Sequence, residues 1–199
     1  METNKTSRFL SRRSFLAQGS KALAALSLGG LFGQRTMAQE VAIWPEGMEL
    51  AIDFEVIAPN TGRYKRPYVA VWIEDASGLP IRTLALWIQS GKGSRWWPDL
   101  RRWYKNEESR KSQYGGDLIS LVSGPTRLPG KYNLVWDGIN DASYVVAQGD
   151  YYLCVELARE HGPYNLIREK ITLGTEPLQT SFAGNDELGD VNLEYRVHS

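Results

Sequence analysis

Arg95, Trp96, Trp97, Arg101, Arg102, Trp103, Tyr104 and Lys105 crowd planar and cationic side chains into one short stretch. Aromatic rings stack on flat ligands such as a flavin or a haem edge, and guanidinium forks bind carboxylate or phosphate. Trp, Tyr and Arg are equally the usual anchors of protein interfaces. A packing role competes with both. In it, Trp97, Trp103 and Tyr104 cap an open end of a hydrophobic core, and the arginines stay solvated or pair with Glu107 and Glu108. The packing role is the simpler expectation, and the stretch is carried forward as a ligand- or partner-binding candidate.

Other reactive groups are sparse. His161 follows Glu160 at an expected turn and is a weak candidate for a metal ligand or proton shuttle, being one of only two histidines. His198 is weaker still. Asp137, Asn140 and Asp141 supply oxygens over a short span, but turn chemistry explains them better than a cation does. Glu74 and Asp75 close an apolar run, and a solvated strand end is expected there rather than paired acid–base carboxylates. Cys154 lies between Leu153 and Val155, and packing makes it inert. No phosphate loop, HExxH, CxxC, CxxCH or GxSxG pattern is present. No catalytic residue and no metal site is assigned.

The elements that must position these groups read as strands. Met48, Leu50, Ile52, Phe54 and Val56 alternate with polar positions, which is the pattern of a half-buried strand. Residues 67–75 are almost continuously apolar, β-branched and aromatic, as in a strand covered on both faces. Ala76-Ser77-Gly78 then turns the chain into residues 80–89. Further strands are predicted over 131–136, 150–159, 164–173 and 191–197, with turn residues between them. About seven short strands argue for an all-β, immunoglobulin-like β-sandwich. Residues 91–116 break the alternation and read as a long insertion carrying one helix of two to three turns. Pro98 and Asp99 would sit in its first turn, and Leu100, Trp103 and Tyr104 on one face.

The chain has 199 residues, seven of them Trp, and its 23 basic residues balance 23 acidic ones. Residues 1–38 read as an export signal. Arg12 and Arg13 form a twin-arginine pair before Phe15 and Leu16, a short apolar run follows, and Thr36 and Ala38 offer small residues for cleavage after Ala38. This segment carries six basic residues against one acidic, net +5, so residues 39–199 form a domain with net −5. The expected setting is the periplasm, reached through the twin-arginine translocase as a partner during export. No stable membrane span is expected after cleavage, and nothing points to nucleic acid.

The segment Gly130-Lys131-Tyr132, Trp136-Asp137-Gly138 and Gly149-Asp150-Tyr151 resembles the hairpin of the Ig-like domain in flagellar hook-capping proteins, where Gly often stands at the position of Ser143. More broadly, residues 66–75, 82–87 and 97–104, with Trp136-Asp137-Gly138 and residues 158–162, resemble a bacterial family of predicted periplasmic proteins classed as a domain of unknown function. That resemblance implies an exported Ig-like fold. Its genes often neighbour those of membrane and flavin-attaching proteins, which implies a membrane redox or iron-handling partner. The leading expectation is a non-catalytic accessory or binding protein. The alternatives are a redox component holding flavin or haem, and a structural or chaperone-like module without a ligand.

Overall fold

The computed structural model describes residues 41–58, 64–88 and 91–198, with the backbone alone at residues 92 and 114. Arg12, Arg13 and Ala38 lie outside the described residues.

The strands are β1 (Met48–Val56), β2 (Tyr68–Asp75), β3 (Pro80–Trp87), β4 (Ser123–Gly124), β5 (Gly130–Trp136), β6 (Gly149–Ala158), β7 (Tyr164–Leu173), β8 (Leu178–Phe182) and β9 (Val191–Val197). They form a four-stranded sheet in the order β5-β1-β9-β8 and a five-stranded sheet in the order β4-β3-β2-β6-β7. The two sheets make the expected sandwich. Seven strands fall where alternation places them. The two additions are β4, only two residues long, and β8, whose Leu-Gln-Thr-Ser-Phe carries apolar residues at its ends alone.

The core between the sheets follows from period-two alternation. Leu50, Ile52 and Phe54 of β1 face Val69, Val71 and Ile73 of β2 and Leu153, Val155 and Leu157 of β6. Trp136 turns inward as expected, and its indole N–H donates to the Ile139 carbonyl at 2.9 Å. Trp44, arriving ahead of β1, lays its ring against Trp136 with centroids 4.8 Å apart. The ring passes over Gly138, whose φ of +75° and missing side chain leave the room it fills. In the next turn Asn140 accepts from the N–H groups of Ala142 and Tyr144, and Ser143 adopts a left-handed φ of +66°.

The insertion departs from expectation in size and position. It begins with a 3-10 helix (Gly91–Asp99), continues as α1 (Arg101–Tyr114) and ends with α2 (Leu118–Val122). Pro98 lies inside the 3-10 helix, and α1 runs nearly four turns from Arg101. The aromatic residues do not cap an end of the sandwich. They cover the outer face of the five-stranded sheet and form a second core with Ala70 and Trp72 of β2, Leu86 of β3 and Cys154 of β6. This explains the unbroken apolarity of β2, since one face fills the sandwich and the other lies under the insertion.

Candidate functional site

The N-terminus of helix α1 carries no cap of its own, whereas Gly115 closes the C-terminus by donating its N–H to the Lys111 carbonyl at 2.9 Å. Leu100 stands at its N-cap position without a side-chain hydrogen bond. The free N–H groups of a helix start need acceptors when buried. Here Glu156 of β6 supplies both oxygens, taking the Arg102 N–H at 2.9 Å and the Trp103 N–H at 2.8 Å. Glu156 is wholly buried. Burial raises its carboxyl above the ordinary value, and the Tyr164 hydroxyl and the two helix N–H groups oppose that rise.

A second buried carboxylate fixes the same helix. Glu74 of β2 is fully enclosed and accepts from Arg102 Nε and Nη2 at 2.9 and 2.8 Å, Arg168 Nε at 2.9 Å, Asn106 at 2.8 Å and the Trp72 indole at 3.0 Å. Burial alone would raise this carboxyl. The hydrogen bonds from Arg102, Arg168 and Trp72 outweigh it, and the group lies below its ordinary value. A solvated strand end at Glu74 is thus corrected: an unpaired carboxylate would not survive there, and this one has two guanidinium partners. Cys154 packs beside the pair, and burial, reinforced by Glu74, pushes its thiol far up, so it is no nucleophile at neutral pH.

The candidates in the insertion therefore divide. Leu100 and Trp103 are buried against the sheet, and the Trp103 indole N–H points to Thr83 Oγ1 at 3.4 Å. Arg102 is spent on Glu74. Of the two expectations for the arginines, solvation describes Arg95 and Arg101, and among the described residues neither pairs with Glu107 or Glu108, Glu107 pairing with Arg110 one turn along at 2.6 Å. Trp96, Trp97 and Tyr104 are half-buried, and the Trp97 indole N–H is enclosed without an acceptor. Arg95 and Arg101 face outward. Arg95 lies over the Trp96 ring at 4.7 Å and Arg101 over the Tyr164 ring at 4.5 Å.

The outward residues do not converge on one site. Arg95 and Trp96 join Lys65, Arg66, Tyr68, Thr126 and Glu160 around a polar cleft of about 330 Å³. Trp96 stacks on Tyr68 with centroids 6.4 Å apart. Lys65 pairs with Glu160 at 3.1 Å, while no carboxylate lies within ion-pair distance of Arg66 or Arg95 among the described residues. Three cationic side chains against one carboxylate, beside an aromatic stack, suit an anionic, flat or flexible group. Among the described residues no imidazole, thiolate or thioether lines the cleft, with His161 outside it beside Glu160, and burial raises the Tyr68 hydroxyl, which disfavours a phenolate ligand for haem. A phosphorylated or carboxylated ring such as a flavin fits the guanidiniums better.

Of the other candidates, His161 is exposed at a turn with φ of +61°, 3.9 Å from Glu160. Among the described residues no three His, Cys, Asp or Glu side chains gather as metal ligands. Asp141 closes the edge of β3: it accepts the Thr83 N–H at 3.1 Å and its own N–H donates to the Ile81 carbonyl at 2.9 Å. Sequence reasoning missed Glu74 and Glu156 as anchors and Lys65 and Arg66 as cleft residues. The first two had a signal, a carboxylate set inside an apolar strand run facing an arginine-rich insertion.

Among the described residues no helix is long and apolar enough to cross a membrane. No curated protein and no solved structure matches the chain. Residues 49–190, from β1 to the approach of β9 and including the whole insertion, match the family described as predicted periplasmic protein (DUF2271). The chain belongs to this family of predicted periplasmic proteins of unknown function.

Proposed function

We propose that this is an exported accessory protein that binds rather than catalyses, receiving an anionic group of a membrane redox or iron-handling partner in the cleft between Arg66, Arg95 and Trp96. The charge balance of the cleft carries the reading: Lys65, Arg66 and Arg95 stand against one carboxylate, Glu160, and an incoming anion would offset that excess of positive charge. The buried side of the insertion supports it. Glu74 and Glu156 fasten α1 to the sheet, and the 3-10 helix that carries Arg95 and Trp96 leads directly into it.

The test separates binding from folding by sparing Trp103, whose loss would open the second core. Arg66→Ala and Arg95→Ala should leave the melting temperature nearly unchanged, Trp96→Ala should lower it because the ring packs on Tyr68 at the margin of the second core, and the folded variants, singly and combined, should lose co-purification with a membrane protein from the native host. Retained co-purification in the triple variant would overturn the reading. If the purified protein is instead coloured, and the same variant bleaches it, the cleft holds a flavin-like cofactor. If neither property exists in the native protein, the structural-module alternative takes its place. Export by the twin-arginine route is tested separately: Arg12→Lys with Arg13→Lys should leave precursor in the cytoplasm.

A further inference from the structure

At another part of the surface a groove of about 750 Å³ opens between the residues preceding β1 and the β5–β6 turn. Its floor is Trp44 and Met48, and its walls are Ile43, Val135, Ile139 and Val145. Ile43 is 65%, Val145 54% and Val135 46% exposed. Tyr144, also exposed, adjoins Val145 in sequence. Exposed apolar side chains scattered singly are ordinary, but a run of them around one concave surface marks a contact site.

The charges on the groove say what would cover it. Its two basic groups are already engaged. Arg82 lies 3.7 Å from Asp141, and His198 lies 2.6 Å from Glu49. Glu49 also holds Arg196 at 2.9 Å. Glu46 and Asp137, both exposed on the rim, have no cation within ion-pair distance among the described residues. An apolar trough with two free carboxylates at its edge complements an apolar segment bordered by positive charge and repels one bordered by acids.

We propose that this groove is a docking site for an extended apolar peptide segment of a partner protein flanked by lysine or arginine, distinct from the cleft at Arg66 and Arg95. Fluorescence anisotropy with the full chain tests it, using a labelled peptide of alternating leucine and valine with lysines at both ends, and a twin with glutamates instead. The lysine peptide should bind saturably, about tenfold or more tightly than its twin. Val145→Lys, a change at an exposed wall position, should abolish that binding. Glu46→Gln should narrow the preference between the two peptides. Arg95→Ala should change neither affinity. Absence of saturable binding, equal binding of both peptides, or full binding by the folded Val145→Lys variant would each overturn the proposal. Circular dichroism on every variant distinguishes lost docking from lost fold.

Discussion

Replacing Glu74 by Gln keeps the shape of the side chain and removes its charge. In the native protein this carboxylate, fully enclosed, meets five donors from four residues, and two of those residues are arginines. Removing one partner of a buried ion pair costs about 3–5 kcal/mol, because the remaining charges stay partly buried without compensation. Arg102 and Arg168 each keep roughly a third of their side-chain surface in water, at 33% and 28%, which places the expected loss at the lower end, about 3 kcal/mol. For a domain of this size that is a fall of about 6–12 °C in melting temperature. Urea unfolding followed by far-UV circular dichroism measures it, with Glu169→Gln on the exposed face of β7 as a control expected within about 0.5 kcal/mol of wild type. The pH dependence supplies a second reading. The folded carboxyl lies below its ordinary value, so its stabilising contribution is present above the unfolded value and is lost as pH falls through the folded one. Wild type should therefore lose stability on acidification, and the Gln variant should lose less. A Gln variant within about 1 kcal/mol of wild type at neutral pH, with an unchanged acid limb, would show that apolar packing alone holds the insertion.

Glu156→Ala leaves the Arg102 and Trp103 N–H groups buried without acceptors, so a loss of about 2–3 kcal/mol is expected, with amide exchange accelerating first at those two positions. Gly138→Ala drives a methyl group into the Trp44 indole at a left-handed backbone position, and chemical denaturation should register at least about 2 kcal/mol of destabilisation. Ser143→Gly relieves a left-handed φ at an exposed turn and should raise stability by about 0.5–1 kcal/mol, seen as a higher urea midpoint with an unchanged slope.

Much of the sandwich could be read directly from the alternation of residues such as Leu50, Ile52 and Phe54, although the other face of β1 meets water only at Asp53 and in part at Glu55, with Glu49 and Ala51 buried. β8 escaped because Gln179, Thr180 and Ser181 fill its interior, and so short a polar strand carries no periodic signal. The insertion was visible as an aromatic and basic stretch, but its direction was not. Period and composition cannot distinguish an aromatic cluster that closes the end of a sandwich from one that roofs a sheet. That choice depends on Glu74 and Glu156, which lie 28 and 54 positions away from Arg102 and become its neighbours only through the pairing of β2 with β6. Lys65 and Arg66 were missed for the same reason, since the cleft they share with Arg95 exists only after the sheet has formed.

The absence of a local N-cap on α1 has a kinetic consequence. Apart from Leu100 and Trp103, the helix depends on acceptors that other strands bring to it: Glu156 from β6 and Glu74 from β2, the latter shared with Arg168 of β7. A helix of this length without an N-cap is marginal in isolation. Its docking is therefore expected to follow the pairing of β2 with β6, since both acceptors lie on those strands and Glu156 is 54 residues away from Arg102 in sequence. The roof over the sheet is then expected to close after the sheet beneath it. Protease cleavage within residues 101–114 thus serves as a clock for completion of the β2–β6–β7 sheet, distinguishing chains whose strands have paired from chains that have only collapsed.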